Sequence, residues 1–87
     1  MKEKIIVVSN KSGLHARPAA TLVQTLNKYQ SGVKILKDDF EVDAKSVMGV
    51  MALAAACGSK LKFVVDGPDE GETIAAIERL FNSKFSE

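Results

Sequence analysis

Hydrophobic residues in this sequence repeat with two different periods, and the alternation of these periods is the strongest constraint on the fold. Side chains of a strand alternate between two faces, whereas those of a helix return to one face every three or four residues. Short apolar segments bounded by turn residues predict strands at residues 4–9, 33–36, 40–42 and 60–65. The last segment alternates most clearly, since Leu61, Phe63 and Val65 fall on one face.

Stripes with helical spacing fill the gaps between these strands. Apolar residues spaced i, i+3, i+4 and i+7 predict a first helix from Ala16 to about Lys28. A second helix is predicted after Ser46, which is a suitable N-cap, and it is expected to end by Gly58. The buried stripe of a third helix is predicted at Ile74, Ile77, Phe81 and Phe85.

The order of these elements, β-α-β-β-α-β-α, predicts the fold class. It is typical of an α+β open-faced β-sandwich, in which a four-stranded, mostly antiparallel sheet carries three helices on one face. The 87 residues can bury one modest core. We therefore expect a single domain over residues 1–87, and we expect it to be a monomer.

Composition excludes several classes of function. Twelve Lys and Arg against eleven Asp and Glu give a net charge of +1, and the strands lack interleaved aromatic and basic residues, so no nucleic-acid partner is expected. Cys57 is the only cysteine and His15 the only histidine, too few ligands for a zinc site, so we expect no metal site. We also expect no cofactor. The longest apolar run, residues 47–57, is about half of the roughly 20 residues of a membrane span. The N-terminus lacks a signal-peptide core, and we predict a cytoplasmic protein.

The single histidine lies in the segment SGLHARPAA, residues 12–20. If a helix begins at Ala16, His15 is at its N-cap, where unpaired amides and the helix dipole favour an anion. A neutral imidazole is a nucleophile, the planar guanidinium of Arg17 suits phosphate oxygens, and Ser12 adds a hydroxyl donor. The pattern predicts an anion attached covalently to His15 and held by Ser12, the Ala16 amide and Arg17. The spacing alone leaves open that His15 is a simple cap or surface residue.

The predicted second helix is apolar on nearly every side. Val47, Met48 and Met51 cannot all face the sheet together with the other apolar residues of this helix, so some are expected to form a docking patch. The alternative is that all of them belong to the core. A phosphate on the Ser46 hydroxyl would lie at a helix N-terminus and need not unfold anything.

The segment GLHARPAA, together with AKSVMGVM about thirty residues later, resembles the HPr family, the histidine phosphocarriers of the bacterial sugar phosphotransferase system. The resemblance implies the open-faced fold and a carrier rather than an enzyme. It implies phosphorylation of His15 on ring Nδ1, with Arg17 steadying the phosphate. The implied partners are enzyme I as the donor and sugar-specific IIA proteins or domains as acceptors.

The segment KSVMGVM is similar to the Gram-positive type of this family. That similarity implies phosphorylation of Ser46 by an HPr kinase/phosphorylase, which slows transfer from enzyme I and allows binding to a catabolite-control repressor. Val47, Met48 and Met51 match the apolar contact positions of the family. The sequence departs from many relatives at Ala52, Ala54 and the Asp38-Asp39 turn. A protein that works mainly as a regulator through the Ser46 surface is the alternative.

Overall fold

The computed structural model describes residues 1–86 and contains the predicted succession of strands and helices. The strands are β1 (Lys2–Val7), β2 (Gly32–Lys37), β3 (Phe40–Asp43) and β4 (Lys60–Asp66). The helices are α1 (Ala16–Leu26), α2 (Val47–Ala52) and α3 (Glu70–Asn82), and a 3₁₀ turn follows at Lys84–Ser86. The predicted order β-α-β-β-α-β-α and the α+β class are confirmed.

The four strands form one sheet in the order β1-β4-β2-β3, and each neighbouring pair is antiparallel. Cross-strand neighbours such as Ile35 and Phe63 are inaccessible to solvent, and the three helices cover this face. The alternate residues of the strands point to the other face, where Lys34 of β2 and Ile5 of β1, the cross-strand neighbour of Lys62, are exposed. The open-faced sandwich follows from this alternation, which is clearest in the two central strands β2 and β4, where the apolar residues of one face are buried.

The core lies between the sheet and the helices. Helix α1 contributes its predicted stripe, since its buried residues are Pro18, Ala19, Leu22, Val23 and Leu26. Phe81 of α3 packs edge-to-face on Phe63 of β4 with ring centroids 5.7 Å apart, and on Phe85 at 4.9 Å. The predicted stripe of the third helix is therefore in place, with Phe85 joining it from the 3₁₀ turn.

Helix α2 is shorter than predicted, because it ends at Ala52 and not near Gly58. The backbone turns into the left-handed region at Ala54 (φ 49°), and this turn places Leu53 and Ala55 in the core. The Ala55 carbonyl then accepts a hydrogen bond from the Leu14 amide at 2.8 Å. Tertiary contacts thus override the helical propensity of the alanine run. Helix α3 ends at Asn82, three residues before Phe85, which the sequence had placed in this helix. The remaining element ends differ from the prediction by no more than two residues.

The carboxylate of Asp69, just before α3, ties that helix to the residues preceding β2. It accepts hydrogen bonds from the Gln30 amide at 2.9 Å, the Ser31 amide at 2.9 Å and the Ser31 hydroxyl at 2.5 Å. The Ser31 hydroxyl and the two amides lower the pKa of Asp69 to about 2. The close approach also explains Gly67, because a Cβ there would lie 2.5 Å from the Ser31 Cα.

Candidate functional site

His15 is the N-cap residue of α1, as predicted. Its backbone is extended (φ −93°, ψ −161°), and its carbonyl accepts the Ala19 amide at 2.9 Å. The imidazole makes no capping hydrogen bond, and the residue is exposed. The ring is therefore accessible to a reaction partner and is not committed to the helix end.

The exposed segment that carries His15 is held between buried anchors. Leu14 precedes it and is 2% exposed, whereas Pro18 and Ala19 follow it and are buried. Residues 15–17 are all exposed. The anchors place the ring at a rigid helix start on the surface, which is the arrangement that a reusable reaction site needs.

The amides of Ala16 and Arg17 lie in the first turn of α1, where an α-helix offers no backbone acceptor. Pro18 has no amide hydrogen, so within residues 1–86 these two amides are free donors of the first turn. The Arg17 side chain is exposed and enters no ion pair within the part of the chain that the structure describes. Together these groups can bind the oxygens of a phosphoryl group on His15.

Ser12 lies in the turn before His15. It is exposed, and its hydroxyl oxygen accepts a hydrogen bond from Asn10 Nδ2 at 3.4 Å. Gly13 follows with φ 67°, and a Cβ at this position would overlap the Ala55 carbonyl oxygen. Only glycine fits both this left-handed backbone and this close approach. Neither the hydrogen bond from Asn10 nor the contact with Ala55 was predicted, because neither has a local sequence signal.

Ser46 is the N-cap of α2, as predicted, and its hydroxyl oxygen accepts the Gly49 amide at 3.1 Å. The residue is half-buried. A phosphate on this hydroxyl would lie against the amides of the first turn of α2, where negative charge is favourable.

The apolar residues of α2 divide between the core and the solvent. Val50 is fully buried, whereas Met48 is 79% exposed, Met51 42% and Val47 37%. The prediction that α2 has more apolar side chains than the sheet can cover is therefore confirmed. We call Val47, Met48 and Met51 the docking patch.

His15 and Ser46 lie at opposite ends of the pair formed by α1 and α2. The loop before His15 contacts Ala55, which follows α2, whereas Lys45, which precedes α2, donates from Nζ to the Tyr29 carbonyl beyond α1 at 2.8 Å. The two helices are therefore antiparallel neighbours. Six residues of helix rise about 9 Å, so the length of α2 separates Ser46 from the loop that carries His15.

Two further sequence expectations concern metal sites and membrane insertion. Cys57 is exposed, and residues 1–86 contain no cluster of three or more His, Cys, Asp or Glu side chains able to hold a metal ion. Over the same residues, no helix combines the length and the apolar character that crossing a bilayer requires.

Comparisons with known proteins cover nearly the whole chain. The family model described as the PTS HPr component phosphorylation site matches residues 2–83. The chain is 52% identical over 87 residues to the phosphocarrier protein HPr of Treponema pallidum, covering 100% of this chain and 99% of that protein. It is 46% identical to that of Xylella fastidiosa strain 9a5c, with 100% and 98% covered. A crystal structure of HPr from Thermoanaerobacter tengcongensis superposes with a TM-score of 0.96 at 48% identity, covering 100% and 98%.

Proposed function

The chain belongs to the HPr family, and on this premise we propose that His15 carries a phosphoryl group between protein partners of the sugar phosphotransferase system. The observation that supports this role most strongly is the exposed imidazole at the N-cap of α1, with no hydrogen bond to the helix end. The Ser12 hydroxyl, the Ala16 and Arg17 amides and the Arg17 guanidinium are the groups proposed to hold the phosphate.

The proposed chemistry is nucleophilic at the ring. Nδ1 of His15 attacks the phosphorus of the phosphorylated donor, a phosphorus–nitrogen bond forms, and the bond from phosphorus to the donor breaks. The reverse exchange passes the group to the acceptor, and His15 returns unchanged. Such a carrier is a substrate of its partners and not an enzyme.

The site is suited to release as well as to acceptance. A carrier needs donor, carrier and acceptor phosphates of similar free energy, because a deep cage of cations would trap the group. Two backbone amides, one hydroxyl and one arginine on an exposed segment stabilise the phosphate only modestly, since each hydrogen bond here competes with water.

We propose enzyme I as the donor and IIA proteins or domains as the acceptors, with the docking patch as the shared contact surface. Flexible methionine side chains can repack against partners of different shape, which suits a carrier that meets several proteins. A small apolar patch also allows rapid dissociation, because transient complexes bury little surface. A monomeric, cytoplasmic protein fits this role, and both features stay predictions.

Phosphorylation by enzyme I and phosphoenolpyruvate tests the main proposal. The wild-type protein should acquire a phosphate that is labile in acid and stable in base, as a phosphohistidine is. His15→Ala should acquire none, while Ser46→Ala, the control, should be labelled normally. Retention of the label by His15→Ala would defeat the assignment.

A second role, regulation through Ser46, is favoured because Ser46 caps the helix that carries the docking patch and immediately precedes Val47. A phosphate there would add a dianion next to Met48, which should weaken docking of enzyme I and favour a partner such as a catabolite-control repressor. The Gram-positive type that this role requires stays a prediction, since the relatives described above include proteins of Treponema pallidum and Xylella fastidiosa.

The regulatory proposal has its own test. Incubation with ATP and an HPr kinase/phosphorylase should give an acid-stable phosphate on the wild-type protein and none on Ser46→Ala. Sugar uptake in cells carrying His15→Ala or Ser46→Ala then separates the two roles. A carrier loses uptake with the first variant, whereas a protein that acts only as a regulator responds to the second.

A further inference from the structure

Asn10 is buried beside the loop that carries His15 and is hydrogen-bonded to that loop. The residue is 1% exposed, and Nδ2 donates to the Gly13 carbonyl at 2.8 Å and to the Ser12 hydroxyl at 3.4 Å. The Gly13 amide donates to the Asn10 carbonyl at 3.1 Å. Backbone and side chain of Asn10 therefore close the same turn.

These bonds fix the orientation of one peptide plane. The carbonyl of Gly13 and the amide of Leu14 belong to the same planar unit. Asn10 holds its carbonyl end, and the Ala55 carbonyl holds its amide end at 2.8 Å. A flip of this plane would break both bonds, and it would change ψ of Gly13 and φ of Leu14, the dihedral angles that direct the chain into His15.

The side-chain amide of Asn10 can be oriented in one way only. A rotated amide would place Oδ1 against the Gly13 carbonyl, and two acceptors repel. In the observed orientation Oδ1 is buried and has no hydrogen-bond partner within residues 1–86.

We propose that Asn10 is a positioning residue for His15. It holds the Gly13–Leu14 peptide plane in the orientation that aims the imidazole outward beside the Ala16 and Arg17 amides. Loss of the Asn10 amide should leave a larger share of molecules with this plane turned, and thus with His15 misaligned. The effect on phosphorylation rests on the proposed function, whereas the effect on the loop does not.

The experiment compares Asn10→Ala and Asn10→Leu with Thr73→Val. Thr73 is a matched control because it is also fully buried and its hydroxyl donates to a backbone carbonyl, that of Asp69, at 2.8 Å, but it lies at the start of α3. Phosphoramidate serves as a small donor: its phosphorus–nitrogen bond breaks, ammonia leaves, and a bond to the His15 ring forms. Phosphohistidine is followed by ³¹P NMR, and ¹H–¹⁵N spectra report the amides of residues 14–17.

Both Asn10 variants should react about tenfold more slowly than wild type, while Thr73→Val should stay within about twofold. The amides of residues 14–17 should shift or broaden in the Asn10 variants alone. A wild-type rate in both Asn10 variants, or an equal slowing in all three proteins, would overturn the inference. If wild type itself gains no phosphate on His15, the proposed function fails, and the amide spectra alone then decide whether Asn10 orders the loop.

Discussion

Replacement of Gly13 by alanine should be one of the most destabilising single-methyl additions in the molecule. Gly13 has φ 67°, and an L residue in the left-handed region costs roughly 1–2 kcal/mol. The new Cβ would also overlap the Ala55 carbonyl oxygen and lie 3.0 Å from the Ala56 Cα, and such overpacking adds about 1–3 kcal/mol. The free energy of unfolding should therefore fall by about 2–5 kcal/mol, which lowers the Tm of a domain this size by at least roughly 10 °C.

The matched control is Gly58→Ala, measured in parallel by urea denaturation. Gly58 also has a positive φ, 96°, but a Cβ there meets no atom of residues 1–86 within 4 Å. This variant should lose only the backbone contribution, about 1–2 kcal/mol. If Gly13→Ala is no less stable than Gly58→Ala, the close packing of the His15 loop against Ala55 is not a significant constraint, and the reasoning is refuted.

Three further predictions concern other parts of the molecule. Because the pKa of Asp69 is lowered from 3.8 to about 2, its contribution to stability is complete above pH 4 and is lost as the pH falls toward 2. Asp69→Asn should flatten this part of the curve of unfolding free energy against pH. An unchanged curve would contradict the hydrogen bonds from Gln30 and Ser31 to this carboxylate. Ser46→Ala removes the α2 cap and should lower the free energy of unfolding by about 1 kcal/mol in urea titrations, whereas no loss would contradict the capping role. Met48→Ala should change the free energy of unfolding by less than about 0.5 kcal/mol but raise the KM of enzyme I for this protein severalfold. Val50→Ala should lower the free energy of unfolding by more than that and leave this KM nearly unchanged. Equal effects of the two substitutions would argue against a docking patch.

Local sequence patterns were sufficient to predict the elements and most of the candidate site. The alternation at Leu61, Phe63 and Val65 identified the face that is buried, and the polar residue before each apolar stripe identified Ser46 and His15 as caps. These features depend on neighbours within a few residues of the chain. Short-range rules of periodicity and capping are therefore enough to predict them.

The features that the sequence did not predict depend on contacts between distant segments. The early end of α2 follows from the placement of Leu53 and Ala55 in the core and from the bond between the Ala55 carbonyl and Leu14. Asn10 looks like an ordinary turn residue after a strand, and only the folded chain shows that it is buried against Gly13. Periodicity contains no information on such pairings.

The most direct test of the account is a ¹H–¹⁵N and ³¹P NMR study of the phosphorylated protein. We predict phosphorus bonded to Nδ1 of His15, together with large shifts of the Ala16 and Arg17 amide signals as they bind the phosphate oxygens. Phosphorus on another residue, or Ala16 and Arg17 amides that do not respond when His15 is phosphorylated, would contradict it.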